Sequence, residues 1–514
     1  MSLRWRVPGP PPIHTLLFAA WPVLFLVAHN RDVTSPREAV TPLLVIVGVV
    51  AAVLLVAGRL TRATRKVAVG LSVSVVLFFS YGHVWTFVHN DLVLASAFGA
   101  VAAATLVGLV RTRRPLRDLT RVLNIVAAVM AAVLLVSIVT DGARRPARAS
   151  SLGLSLDEPA APRDIYYLIF DRYADATVLR DHFGFDNGPF IRSLEDRGFV
   201  VAQRSTANYQ NTHMSLASSL NMDHLDRLMA DVGRPSMDLE PVFERIRRSE
   251  VARLLKGAGY RYVHVGSWAS FTASSPIADV NLPPIGGSEF SRVLYGSTAL
   301  SPMLRTAATN ENVTQRDATL GAFSKLDEAI GIHGPKFVFA HFIIPHPPYV
   351  FDRDGDVDLD PQREGNVRGY LEQVRFANAH IERIVARLLD VPPDERPIIV
   401  IQSDEGPYPR LSTRFPPSWA TEPAGDVRVK YGILNAYLLP GASDSPGAVY
   451  PTISPVNTFR VIFDRYFGTD LGLLPDESFS TASKKDRYTL VGLGDAPAAA
   501  PSRFRPPPTG VGAR

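Results

Sequence analysis

Apolar residues are unevenly spread along the 514 positions of this chain. Five stretches near its start, 13–29, 41–58, 67–88, 92–110 and 119–140, are nearly devoid of charge. Each approaches or exceeds the ~17–25 residues a helix needs to cross a hydrocarbon core. Pro22 interrupts the first stretch and makes it the weakest of the five. A cleaved signal peptide would explain one such stretch but not the four that follow, and no small-residue cleavage motif closes the first. The pattern predicts a five-span helical transmembrane bundle over 1–141.

The pattern then changes. Residues 142–162 mix Arg, Ala, Ser, Gly and Pro without periodicity and read as a linker. From 163 onward short apolar runs alternate with longer amphipathic ones. The runs are Ile165–Phe170, Phe199–Ala202, Tyr260–Val265, Phe337–Phe342, Ile398–Ile401 and Ile433–Leu439. Helical patterns cover Gly188–Arg197, Leu239–Lys256, Gln315–Ile332 and Val367–Leu389. Near-continuous apolar strands separated by helices predict an α/β domain over 163–494, with a mostly parallel sheet covered on both faces. The Ala/Pro/Gly-rich end, 495–514, reads as a disordered tail.

Charge adds an orientation. The 59–66 connector carries Arg59, Arg62, Arg65 and Lys66 and no acid, and the 111–121 connector carries five arginines against Asp118 alone. The 30–40 loop is balanced, and the 89–91 turn offers only His89 and Asp91. Basic loops stay on the cytoplasmic side, so five crossings would deliver the α/β domain to the outer face. Arg144, Arg145 and Arg148 after the fifth stretch oppose this weakly. The pI of 9.3 does not point to nucleic acid. Residues 1–150 hold 16 basic and 5 acidic residues, whereas the rest holds 38 and 44. The basicity is thus a membrane-orientation signal, and the folded outer domain is mildly acidic.

Cysteine is absent. That removes a cysteine nucleophile, a thiolate metal site and disulfide support, but ~360 residues can bury a sufficient core without help. The Ala/Arg/Pro-rich, lysine-poor composition is what a GC-rich bacterial genome gives. The five apolar stretches also lack the intramembrane acids or bases that would mark a transport path.

In parallel sheets, ligands bind where strands end and loops enter the following helices. Asp171 follows Ile165–Phe170 directly, as a metal ligand or a helix cap. In STANYQNTHMSLASSLN, Thr212 and Ser215 open a helical pattern, where uncapped N–H groups favour phosphate or sulfate; a plain N-cap is the alternative. Asp404-Glu405 follows PIIVI, and adjacent carboxylates repel unless a cation lies between them; a solvated acidic turn is the bland alternative. His346 sits in HFIIPHPPY, among prolines that would stiffen its backbone, as a site residue or a turn histidine. Together, three carboxylates and the Thr212 hydroxyl could form a one-metal cage around an oxygen nucleophile.

The order strand–Asp, Thr-x-x-Ser-Leu-x-Ser at a helix start, PHPPY, then strand–Asp-x-Gly resembles the alkaline phosphatase/sulfatase superfamily. With its membrane anchor the chain is similar to the lipoteichoic acid synthase and phosphoethanolamine transferase branch. The resemblance implies Thr212 as nucleophile and site of a covalent phospho-intermediate, with Asp171 and Asp404 as metal ligands; the residues' own pattern adds Thr212 and Glu405 to the ligand set. It also implies His346 as a contact to the phosphate or the leaving oxygen, with a catalytic part; Arg172 and Ser215, read from the residues themselves, are further candidate substrate contacts.

The family usually has Asp-His-Gly where this chain has Asp404-Glu405-Gly406. Glu405 makes the ligand set all-oxygen, favouring Mn²⁺ or Mg²⁺ over Zn²⁺. It also adds negative charge against an anionic substrate, which Arg172 could offset, or it marks a site that has lost its metal. Sulfatases form their nucleophile from Cys or Ser in a motif with Arg, and Leu216 stands where that Arg would fall, which disfavours true sulfatase activity.

The expected function is a transferase of the bacterial inner membrane. It moves a phospho-linked head group from a phospholipid or lipid-linked donor to an envelope glycan or lipid through a threonine-linked intermediate. A phosphate/sulfate ester hydrolase and a non-catalytic envelope-binding homologue are the alternatives.

Overall fold

The computed structural model describes residues 10–29, 36–143, 153–232, 236–285, 289–303, 311–352, 355–356, 367–411, 416–441, 449–483 and 486–494. The expected tail and residues 144–152 of the linker lie outside these residues. The chain divides into two compact units, Met1–Arg145 with Glu289–Thr309, and Pro146–Ser288 with Asn310–Arg514.

The first unit is built from α1 (His14–His29), α2 (Pro36–Thr61), α3 (Thr64–Val88), α4 (Asp91–Arg111) and α5 (Arg117–Ala143). Four of them are long and apolar enough to cross a membrane: α2 from Ala39, α3, α4, and α5 as far as Ile138. The first apolar stretch is also a helix, but its 16 residues rise only about 24 Å against the ~30 Å of a hydrocarbon core. It packs against α5, α2 and α3. The outer surfaces of α2, α4 and α5 expose Leu44, Val49, Leu92, Leu106, Val122 and Val133, as lipid-facing helices do.

The unit also takes in a segment from far along the chain. The helix Glu289–Gly296 buries Phe290 and Leu294, one turn apart, beside Ala19, Val23, Val50, Val75 and Phe79. Gly82 N donates to Ser297 O at 2.9 Å and Ala299 N to Phe78 O at 2.8 Å. A side chain at Gly82 would meet Gly296 O at 2.1 Å, so only glycine admits this approach. The linear boundary 163–494 did not foresee that part of this stretch belongs to the helical unit.

The second unit is a seven-stranded sheet with helices, plus a hairpin. Its strands are β1 (Ile165–Phe170), β2 (Val200–Val201), β3 (Arg261–Val265), β4 (Val280–Leu282), β5 (Lys336–Phe342), β6 (Ile398–Gln402) and β7 (Asn435–Leu438), with order β2-β7-β6-β1-β5-β3-β4. β6, β1, β5, β3 and β4 run parallel, and β7 and β2 pair antiparallel at one edge. Every residue of β1, β5 and β6 is buried, because helices cover both faces, and this explains why their sequences are unbroken apolar runs. Two hydrophobic clusters flank the sheet, one around Phe170, Phe342 and Val374, the other around Tyr167, Met214 and Phe243. The hairpin β8 (Phe479–Ser483) with β9 (Asp486–Gly492) stands apart.

Candidate active site

Three adjacent central strands deliver one residue each to the same end of the sheet. Ile169 pairs with His341 on β5 and with Gln402 on β6, so Asp171, His341 and Asp404 arrive side by side. Asp171 N extends the ladder by donating to Phe342 O at 3.0 Å. The chain then turns sharply, with Arg172 at φ 63°, a left-handed conformation that costs a non-glycine residue about 1–3 kcal/mol and is concentrated at functional sites.

One ligand atom each from Asp171, His341 and Asp404 lies within 4.8 Å of the others. His341 Nε2 is 3.8 Å from Asp171 Oδ2. Ligands around one divalent ion are spaced by about 3–4.5 Å, so the group needs little adjustment to close on a cation. Three buried atoms in it, Asp171 Oδ1, Asp404 Oδ2 and His341 Nε2, have no hydrogen-bond partner. Burial pushes the Asp171 carboxyl well up, and the neighbouring Asp404 adds to this. Burial, then Glu405, pushes Asp404 up to about 7, while the facing Thr212 hydroxyl pulls it down. Two buried carboxylates that resist ionising side by side are stabilised by a cation between them. The buried Asp/His/Asp group can hold a metal ion.

His341 is the residue that sequence reasoning missed. Burial, then His264, lowers its pKa to about 3, so the imidazole is neutral and able to ligate. Its Nδ1 bonds Thr272 Oγ1 at 3.0 Å, and Thr272 is itself held by Ser267 Oγ at 2.7 Å. Such an outer partner fixes the ring and leaves Nε2 toward the carboxylates. The sequence signal is a histidine inside the apolar run KFVFAHF, which by itself reads as a core position.

Glu405 does not join the ligand group. Arg172 Nε donates to its Oε1 at 2.8 Å, and Lys430 Nζ lies 2.8 Å from its Oε2. A carboxylate buried between two cations is better satisfied by them than by sharing an ion with Asp404. Lys430 is fully buried, donates to Gly406 O at 3.1 Å and lies over the Tyr408 ring, 4.2 Å from its centre. Burial lowers its pKa to about 8. Gly406 makes this possible, since a Cβ there would sit 2.3 Å from Val429 O. Sequence reasoning missed Lys430 too; its signal is the rarity of lysine in this chain.

Thr212 opens the helix Thr212–Ser219, after Asn211, which makes no side-chain cap bond. His346 is half-buried on the loop after β5, with Nδ1 against Pro347 O; burial, then Arg172, keeps its pKa well below the usual value. Ser215 does not reach the crevice. It is buried, and its hydroxyl donates to Tyr209 O at 3.0 Å, bracing the loop that precedes the helix. With Asp171, Asp404, Glu405, Arg172 and Lys430 all ionised, one negative charge remains, and a divalent ion would turn that to one positive.

Comparison with known proteins agrees with this architecture. The Sulfatase family model matches residues 138–437. Similar solved structures include the C-terminal periplasmic domain of EptC from Escherichia coli, 13% identical over 66% of this chain and 96% of that one, TM-score 0.44. Another is the integral membrane lipooligosaccharide phosphoethanolamine transferase A from Neisseria meningitidis, 11% identical over 93% of this chain and 96% of that one, TM-score 0.42. A 2-O GAG sulfatase is 13% identical over 60% and 72%, TM-score 0.39. No curated protein matches the chain. With the family model covering more than half of its length, the chain belongs to the sulfatase family.

Proposed function

We propose that the protein is a membrane-bound, metal-dependent transferase that moves a phospho-linked head group from a phospholipid to an envelope acceptor through a covalent Thr212 intermediate. One observation carries this reading: the three unpartnered ligand atoms of Asp171, His341 and Asp404 converge where the Thr212 hydroxyl faces Asp404. A divalent ion bound there would lower the hydroxyl's pKa and neutralise charge on a phosphoryl oxygen. The imidazole makes the donor set mixed, so the all-oxygen premise that favoured Mn²⁺ or Mg²⁺ over Zn²⁺ no longer holds.

In the first half-reaction Thr212 Oγ attacks phosphorus, its proton passes to the Asp404 carboxylate, and the ester bond to the lipid glycerol breaks. The glycerol oxygen leaves with a proton drawn from solvent. The uncapped helix start and the Arg172 guanidinium receive the phosphoryl oxygens. In the second, an acceptor hydroxyl attacks phosphorus, and the Thr212–phosphorus bond breaks as Asp404 returns its proton to Thr212. His346 donates Nδ1–H to a carbonyl, which leaves Nε2 able to take the acceptor's proton.

The outward orientation of the α/β domain has two supports. The basic 111–121 loop is separated from that domain by α5 alone, so its side does not depend on whether the short α1 crosses. Ser297 and Ala299, just after the Glu289–Gly296 helix, bond Gly82 and Phe78, in the half of α3 away from the basic loop.

Purified protein given a head-group-labelled phospholipid tests the transfer. Label should accumulate on an added envelope lipid or glycan acceptor; release of free head group at the same rate with and without acceptor would make the enzyme a hydrolase.

A further inference from the structure

The end of the helical unit remote from the Glu289–Gly296 segment carries a second built feature. Residues Pro10–Pro12, Arg62–Lys66 and Arg114–Leu116 line an open depression of about 410 Å³, within the ~300–1,000 Å³ range of small-molecule sites. Its charged lining is Arg62, Arg65, Lys66 and Arg114, with no acid among the lining residues. The nearest acid on the loop, Asp118, is exposed and 4.0 Å from Arg121.

Basic loops alone need no depression, and most topogenic arginines are simply solvated. Four observations set this place apart. Arg65 Nε is buried without a hydrogen-bond partner. α3 begins here with Ala63 as its cap, which offers no side-chain acceptor, and its first turn has no acid, so the positive end of the helix dipole is uncompensated. The walls are fixed: Asn124 Nδ2 donates to Pro11 O at 2.8 Å, His14 N donates to Asn124 Oδ1 at 2.9 Å, and Lys66 Nζ donates to Thr112 O at 2.9 Å. Just inside the prolines, His14 is fully buried on Ser72 Oγ at 2.8 Å while its Nε2 has no partner.

We propose that this pocket binds the phosphodiester head group of an anionic glycerophospholipid in the leaflet that the basic 59–66 and 111–121 loops face. A fixed, cation-lined depression at a helix start selects a phosphate group. Exposed Leu60, Val110, Leu119 and Val122 beside it offer apolar surface to acyl chains, which a free phosphate would not use. The site is separate from Thr212 and does not rest on the transferase reading.

The full-length protein in neutral detergent, titrated with phosphatidylglycerol, phosphatidylcholine or inorganic phosphate and weighed by native mass spectrometry, tests it. One phosphatidylglycerol per chain should be retained, at least about tenfold more tightly than phosphatidylcholine, and millimolar phosphate should not displace it. Arg65→Ala with Arg114→Ala should weaken retention about tenfold or more, whereas Arg113→Ala with Arg117→Ala, on the same loop but outside the lining, should not. Ala63→Glu keeps every orienting arginine, stabilises the α3 start and places a carboxylate at the pocket; it should abolish retention. Equal losses from both arginine pairs, retention unchanged in Ala63→Glu, or displacement by phosphate would each overturn the proposal.

Discussion

Two charged groups lie within the same crevice and are built on opposite principles. Asp171, His341 and Asp404 set two carboxylates and a neutral imidazole together, with three atoms unpartnered. Arg172 and Lys430 instead flank the buried Glu405 carboxylate, each in contact with it at 2.8 Å. The first group holds opposed carboxylates with no counter-charge of its own, whereas in the second the fold supplies the counter-charge to Glu405. A carboxylate at the end of a buried strand is therefore not a metal ligand by position alone; what decides is whether the fold has already supplied its counter-charge.

The contrast can be broken most forcefully at the hydroxyl between the groups. Thr212→Ala should lower head-group transfer by at least ~10³-fold, with thermal unfolding unchanged, measured on purified protein with labelled phospholipid. Transfer within tenfold of wild type would remove Thr212 from the chemistry.

A smaller effect separates the groups by stability. Glu405→Gln strands Arg172 and Lys430 and should destabilise the second unit by about 3 kcal/mol. Asp171→Asn in metal-free protein should instead be neutral or stabilising by about 1 kcal/mol, because it removes one of two opposed carboxylates. Chemical denaturation of chelator-treated protein reads both, and equal destabilisation would erase the distinction drawn here.

Metal binding provides the third comparison. His341→Ala should weaken divalent-ion affinity by about 100-fold or more, and Thr272→Val, which only frees the ring, by about tenfold. Glu405→Gln should leave stoichiometry intact at saturating metal. Titration calorimetry distinguishes these outcomes, and loss of the ion in Glu405→Gln would return that residue to the ligand set.

Much of the fold was legible because burial on both faces leaves a plain mark. β1, β5 and β6 are unbroken apolar runs, and each was found within a residue or two of its observed ends. β4, three residues long, and the β8–β9 hairpin carry too little pattern to stand out. The Glu289–Gly296 helix is amphipathic, but an apolar stripe does not say which core it enters, and it entered that of the helical unit. In the site, Asp171 and Asp404 were legible because they interrupt polarity at strand ends. His341 was not, since a histidine within an apolar strand reads as core. Lys430 was hidden for another reason: its role depends on Gly406 letting residues 429–430 approach, a contact invisible along the chain.

The covalent intermediate is the claim on which the rest depends. Protein incubated with envelope phospholipid in the absence of acceptor, then digested and weighed, should yield the Thr212 peptide heavier by one phospho-linked head group, and the adduct should vanish when acceptor is added. Continued transfer with an unmodified Thr212 peptide, or an adduct on another residue, would contradict the account.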